Sequence, residues 1–589
     1  MNIMLLIEKI NSFFSKYLLR TKIVFFVLLI LFIFKFSNHR EPYPTGDGPE
    51  YVLMTEALLN HASADIRIDD SKTFKHESSL TKPWNEIPKY TFFDDIENFL
   101  LVKNSYPFLG NFYGSFYVAK NKNVYTHHFY FYSLLNVPMR YVMQITNMRP
   151  MLGFKITNIV LILLTSTLLL LYNKESLWNS IVITSLFFFN AVFWYINWIH
   201  PEALTVCLAS ASIFLFFNKK YYLSIFLMSL ASLQNQPLCI LVLMIVVHTL
   251  LINKFSIRSF ITSALSSVIV LWPSIFYYSN FNITNLVNYG GYISTDYITI
   301  DKFIGFFYDL NQGAILAIPI IMIVYPFIIG FFIVKSTQKK QIEKTLFIPF
   351  AIIIIVLIVC TMGNWVHGMA VINRYAVWIS AIISLHFFYL FSKIQLPKNI
   401  KIPAIILILV SQVYTTIYFE KDNLFDWMSN VHKAPAEWVL NNFPSLYNPE
   451  PCIFIIRTTH KYPDMNNPNI SPIYYLNPNG EIAKMAVHQE RLNNLQDFKI
   501  SRERILEIKE NNRFLSNWTY LNEEDFRIYN QTDGWKIKKK LQDSLIQQKI
   551  EYIKSDSNWI QEERKKALNH DMPLDSVLIM DAKYVLNIK

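Results

Sequence analysis

Residues 345–361 read Thr-Leu-Phe-Ile-Pro-Phe-Ala-Ile-Ile-Ile-Ile-Val-Leu-Ile-Val-Cys-Thr, without a single charge. A run of this length approaches the ~20 apolar residues that carry a helix across a ~30 Å hydrocarbon core. Lys335, Lys339, Lys340 and Lys344 stand before it, and the next Lys or Arg after it is Arg374. Comparable runs lie at about 22–37, 155–172, 179–196, 202–218, 221–235, 237–253, 259–279, 313–334, 375–392 and 402–418, which makes eleven in all. The fifth and sixth are short and are separated only by Gln-Asn-Gln-Pro ending at Pro237. The chain is 52% hydrophobic and only 16% charged, where a soluble domain carries about 25% charged residues. The fold expected is therefore mainly α, a polytopic transmembrane bundle of about eleven helices.

The distribution of lysine and arginine gives an orientation. With the N-terminus in the cytoplasm, the inner segments hold Lys9, Lys16, Arg20 and Lys22; Lys174; Lys219 and Lys220; Lys254 and Arg258; Lys335 to Lys344; and Lys393, Lys398 and Lys401. The opposite short loops hold only Lys302 and Arg374. This is the asymmetry of the positive-inside rule. It accounts for the net charge of +11 without any nucleic-acid partner. The basic segment 1–21 reads as a cytoplasmic N-terminus, and the first apolar run, which has no small-residue cleavage site, reads as a retained helix.

Two polar parts then fall outside: a first loop over 38–150, and a tail over 419–589 that reads as an α+β extracytoplasmic domain. Within the tail, 452–457 (Cys-Ile-Phe-Ile-Ile-Arg) reads as a buried strand, and 536–555, 559–568 and 575–586 read as helices. Cys207, Cys239, Cys360 and Cys452 show no ligand or disulfide spacing.

The apolar runs carry few ionisable residues, His248 and His386 being the main ones. Ion-coupled transporters hold such groups at mid-membrane. Here the unusual polar residues gather instead at the outer ends of helices. Tyr43-Pro-Thr-Gly-Asp-Gly-Pro-Glu-Tyr51 follows the first run. Its Asp47 and Glu50 fit a capping box with Pro49 early in the helix; alternatively a rigid helix end aims a carboxylate at a hydroxyl. Asn197-Trp-Ile-His-Pro-Glu202 lies between the third and fourth runs, beside aromatic residues of an interfacial belt. Tyr125-Thr-His-His-Phe-Tyr130 precedes an amphipathic stretch over 131–143. Asp309-Leu-Asn-Gln-Gly313 opens the eighth run. The segment from Gly363 to Tyr375 contains His367 and Arg374. Arg374 suits either interfacial snorkelling or a phosphate contact.

Taken together, these features resemble the GT-C superfamily of polytopic membrane glycosyltransferases, in particular bacterial members that use polyprenyl-phosphate sugars. The likeness covers roughly residues 20–420. It rests on the acidic motif Gly46-Asp47-Gly48-Pro49-Glu50-Tyr51, the loop end 125–140, His200-Pro201-Glu202, the entry at Asp309–Gly313, and Trp365…Gly368…Arg374-Tyr375. The resemblance implies an inverting transfer of a sugar from a polyprenyl-phosphate donor to a cell-envelope acceptor, whether lipid, glycan or protein. The site would lie on the outer side of a bacterial plasma membrane, among membrane lipids.

It further implies Asp47 as base, Glu50 beside it, and Glu202 as a second acid that positions the acceptor or helps to hold a metal. His127, His128 and Arg374 would neutralise the donor phosphate, with Tyr51, His200, His367 and Tyr375 also lining the substrate site. Some members use a divalent metal and others do not. One clear acid per loop, without an Asp-x-Asp pair, argues against an obligatory one, and a divalent metal stays open. One departure from the pattern is the polar insertion over 65–98, whose Asp94, Asp95 and Glu97 would displace the assignment of the base if they folded over the site. A transporter or flippase for lipid-linked saccharides, or a non-catalytic assembly protein, remains the alternative.

Overall fold

A computed structural model describes residues 18–37, 46–81, 91–172, 176–335, 339–363, 371–420, 431–461, 467–510, 517–533, 549–569 and 572–585, with the single positions 42, 44, 465, 543, 546 and 547. The chain is mainly helical and forms two compact units, Met1–Ser429 and Asn430–Lys589.

In the first unit each apolar run is helical over most of its length, but the lengths differ from expectation. Only four described helices are long and apolar enough to cross a bilayer: Leu152–Tyr172, Ile257–Phe281, Arg374–Lys393 and Lys398–Glu420. Leu177–Phe188, Glu202–Phe217, Tyr221–Gln234, Gln236–Ile252, Pro319–Lys335 and Thr345–Cys360 are apolar but shorter. At 1.5 Å per residue, the 16 residues of Glu202–Phe217 extend only about 24 Å.

Two runs break where polar side chains take over the backbone. The third run ends as helix at Phe188, because the Asn190 side chain accepts from Ala191 N–H and starts a separate tight turn over Ala191–Tyr195. The eighth begins at Pro319 rather than at 313, because Asp309 Oδ1 accepts from the N–H groups of Asn311 and Gln312, both at 2.8 Å.

The first loop folds on helix Gly48–His61, which is buried along most of its length and packs on helix Phe131–Ile145. Arg140 clamps the two: Nε and Nη2 donate to Glu56 at 2.5 and 2.9 Å, and Nη2 also reaches Glu77 at 2.7 Å on helix Ile68–Thr81. A buried cation flanked by two carboxylates fixes a register more than it adds net stability. The polar insertion forms that helix together with Thr91–Val102. Asp94 is paired with Lys75, and Glu97 accepts from Ser71 Oγ at 2.8 Å. These acids therefore join the two helices to each other and leave the Asp47 motif alone. A small antiparallel sheet of Asn111–Phe112, Phe116–Val118 and Val124–Thr126 pairs Tyr117 with Tyr125 and runs directly into His127.

The second unit centres on an antiparallel sheet of Ile473–Leu476, Ile482–His488 and Trp518–Asn522. The expected strand at 452–457 is instead the helix Pro451–Thr459: Pro451 occupies its first turn, and the Glu450 side chain caps Ile453 N–H. A short apolar run does not distinguish buried strand from buried helix, and here the cap decides. Helices Ser557–Asn569 and Leu574–Val585 lie where the periodicity places them. Residues 549–555 are helical, and most of 536–548 lies outside the described residues.

The central strand contains a lysine with no access to solvent. Lys484 Nζ donates to Pro444 O at 2.7 Å and to Asn522 Oδ1 at 2.6 Å, and burial pushes its pKa down to about 7. A base whose pKa falls on folding binds fewer protons folded than unfolded between that value and its ordinary one. The stability of this unit should therefore rise with pH from about 7 towards 10. Hydrogen exchange of strand 482–488, corrected for intrinsic rates, should show opening become rarer as pH rises. In Lys484→Met that dependence should be flat.

Candidate active site

Asp47 immediately precedes helix Gly48–His61 but does not cap it: its side chain makes no bond to the first-turn N–H groups. The carboxylate turns away instead, so the capping explanation of Asp-x-x-Glu fails for this residue. Two glycines permit the approach. Gly46 sits at φ +57°, in the left-handed region, and a Cβ on Gly48 would stand 3.1 Å from Pro44 Cβ and 3.6 Å from Ile199 O.

Three cationic or imidazole groups meet Asp47 Oδ2: Arg374 Nη1 at 2.7 Å, His200 Nε2 at 3.2 Å and His128 Nε2 at 3.5 Å. Burial opposes the charge of this carboxylate, but His128, Arg374 and His200 overcome it and hold its pKa well below the usual range. Asp47 is also the most accessible of the three acids, with 26% of its side chain exposed against 3% for Glu50 and 1% for Glu202.

His200 is held from both ends. Its Nδ1 bonds the Glu202 carboxylate and its Nε2 faces Asp47. The ring stacks on Trp198 with centroids 4.5 Å apart. Burial disfavours an imidazolium here, yet Glu202 and Asp47 together raise the His200 pKa. Arg374 Nη1 also approaches Nε2 at 3.0 Å, so the guanidinium and the imidazole converge on the same Asp47 oxygen.

The loop that carries His200 is fixed by Asn158 of helix Leu152–Tyr172. Its Nδ2 reaches the carbonyls of Tyr195, Ile196 and Trp198 at 3.4, 3.2 and 3.2 Å, while its Oδ1 accepts from Tyr132 at 3.1 Å. Asn158→Leu strands these buried groups and is expected to cost about 1–3 kcal/mol, measurable as a lower thermal midpoint in detergent.

Arg374 opens helix Arg374–Lys393. Asn373 caps it through Tyr375 N–H, and Asn373 N–H donates to Gln312 O at 2.9 Å. The Asp309–Gly313 turn thus sets the start of the arginine's helix. Gly313 is required there, because a Cβ would come within 2.5 Å of Asp309 N. Arg374 Nη2 donates to Tyr375 Oη at 3.1 Å and the guanidinium lies 5.0 Å from that ring's centroid. Its Nε is buried without a partner among the described residues.

Glu50 lies one helical turn beyond Asp47 and is buried. Its Oε2 is 3.0 Å from His128 Nδ1 and 3.7 Å from His127 Nδ1. Burial, with the Asp47 charge adding to it, raises the Glu50 carboxyl to about 8, and burial lowers His127 and takes His128 to about 4. Tyr51 Oη accepts from Gln234 Nε2 at 3.3 Å, and its ring packs edge-on against Tyr132 and His200.

Nine of the ten residues singled out in the sequence therefore lie in one contiguous cluster: Asp47, Glu50, Tyr51, His127, His128, His200, Glu202, Arg374 and Tyr375. His367 lies outside the described residues. Glu202 bonds His200 and is not one of the Glu50–His127–His128 group. Sequence reasoning missed Asn158, Gln234, Tyr277 (Oη to His127 O, 2.9 Å) and Tyr292, stacked on His127. Nothing distinguishes those two tyrosines among 34, although Gln234 sits in the polar break between two apolar runs. No family profile, curated protein or solved structure matches this chain.

Proposed function

We propose that the protein is a membrane glycosyltransferase that moves a sugar from a polyprenyl-phosphate donor to a cell-envelope acceptor. The observation that carries this reading is the 2.7 Å ion pair of Arg374 with Asp47. It sets a cation suited to a phosphate against an accessible carboxylate suited to an acceptor hydroxyl. In the proposed step the acceptor oxygen bonds the anomeric carbon from the face opposite the phosphate, and its proton passes to Asp47. The carbon–oxygen bond to phosphate breaks and its electron pair leaves with the polyprenyl phosphate, whose charge Arg374 neutralises. Configuration inverts.

While Arg374 is paired with it, Asp47 is a weak base. A donor phosphate that draws the guanidinium away raises its basicity only when the donor is bound. His200, held between Glu202 and Asp47, keeps the carboxylate aimed.

In the same reading the apolar helices form a multi-pass bundle in a bacterial plasma membrane, N-terminus inside, with the site and the tail on the outer side. The lysine asymmetry supports that orientation. The short helices and the buried irregular stretch 189–201 are tolerable at membrane depth where neighbouring protein shelters them.

The test is turnover by purified protein in detergent, with a panel of polyprenyl-phosphate sugars and membrane extract as acceptor. Transfer from one donor, or its slow hydrolysis when acceptor is omitted, is the expected result. No turnover of any donor overturns the proposal.

A further inference from the structure

Glu50, His127 and His128 present one ligand atom each, all within 4.8 Å of one another. Adjacent residues of a strand point to opposite faces. Here the chain leaves the strand Val124–Thr126 immediately before the pair, and the two imidazoles converge on one carboxylate with ring centroids 4.0 Å apart. A hydrogen bond between Glu50 and His128 would satisfy one ring. The second ring, His127, also places its Nδ1 3.4 Å from Ser115 O, and neither contact accounts for Glu50 Oε1, which is buried and has no hydrogen-bond partner among the described residues.

We propose that these three side chains bind one divalent transition-metal ion of the zinc class. Ligands bound tetrahedrally at 2.0–2.1 Å stand about 3.4 Å apart. Glu50 Oε2 is 3.0 Å from His128 Nδ1 and 3.7 Å from His127 Nδ1, on either side of that spacing. The opposite nitrogen of His128 faces Asp47 Oδ2 at 3.5 Å, the carboxylate partner that metal-bound histidines commonly have. Two imidazoles and one carboxylate select zinc, cobalt or nickel over magnesium and manganese, which prefer all-oxygen sites. Three protein ligands leave a coordination position for water or a substrate oxygen. The inference concerns the same site as the proposed transfer reaction but does not depend on it, so binding is read without any substrate.

The experiment uses the full-length protein in detergent, stripped with chelator, and equilibrium dialysis against zinc, cobalt or magnesium. Expected is about one zinc or cobalt per chain, retained in excess magnesium, with the cobalt form showing the strong visible absorption of a low-coordinate nitrogen-containing site. The double variant His127→Ala/His128→Ala should lose this binding. Asp47→Asn should keep it, weakened by about 10–100-fold. Stoichiometry unchanged in the double variant, or magnesium displacing zinc, overturns the proposal. Should the double variant not fold, the wild-type cobalt spectrum decides: weak absorption typical of six oxygen ligands rejects the site.

Discussion

Asp47→Asn is expected to reduce sugar transfer by about 10²–10⁴-fold, the contribution typical of a positioned general base, while the protein keeps its fold. Asparagine is isosteric and its carbonyl still accepts from Arg374 and His200, which lie 2.7 and 3.2 Å from the carboxylate it replaces. What is lost is the capacity to take the acceptor's proton. The thermal midpoint in detergent should change little, and the loss should appear in kcat. The wild-type carboxylate is held well below the ordinary range, chiefly against its own burial, by His128, Arg374 and His200. Activity limited by this base should therefore persist below the pH at which a free aspartate is protonated. Equal transfer by wild type and variant would dismiss Asp47. Glu202 and Glu50, both buried, would then need a structural opening before either could serve.

Arg374→Ala is expected to lower kcat/KM by about 10²–10³-fold, the scale of removing a transition-state electrostatic partner. Two effects follow. The departing phosphate loses its cation, which lowers the rate, and Asp47 loses a charge that holds its pKa down. The second effect has a definite sign. Without the guanidinium the ionised carboxylate is less stabilised, its pKa rises, and the acid limb of the kcat/KM profile moves to higher pH. Arg374→Lys should restore most of the position of that limb, since it keeps the charge, but only part of the rate. Lysine has no planar fork with which to hold a phosphate bidentately and cannot both reach Asp47 and donate to Tyr375 Oη as the guanidinium does. A profile that does not move in Arg374→Ala would show that the ion pair does not tune the acid, and would remove the main support for the transfer reaction.

The parts of this site legible in the sequence share one property: each belongs to a polar cluster, either at the end of an apolar run or within the first loop. His200 and Arg374 stand at the ends of runs and Asp47 in the loop, and in each place burial makes a charged or hydrogen-bonding side chain expensive unless it has a partner. The sequence could not show that the partner of Asp47 is Arg374, 327 positions away. Nor could it choose between capping and aiming for Asp47, since both readings use the same residues at the same spacing and differ only in where the carboxylate points. The supports were less visible still. Asn158 is one amide inside an apolar helix, and its use depends on three carbonyls of a distant turn and on the Tyr132 hydroxyl.

By itself the sequence determined the helical character of the chain, the positions of its apolar segments and the change of character near residue 420, because these depend on local hydrophobicity, which a single segment carries alone. Tertiary structure decided the rest. It held the break in the third run, where Asn190 Oδ1 accepts from Ser380 Oγ and Nδ2 donates to Ser384 Oγ of a distant helix. It brought two adjacent histidines onto Glu50, and it pointed Asp47 at an arginine rather than at its own helix. Each of these is a choice among partners for a polar group. Such a choice is settled only when chain segments far apart in sequence compete for the same few ångströms.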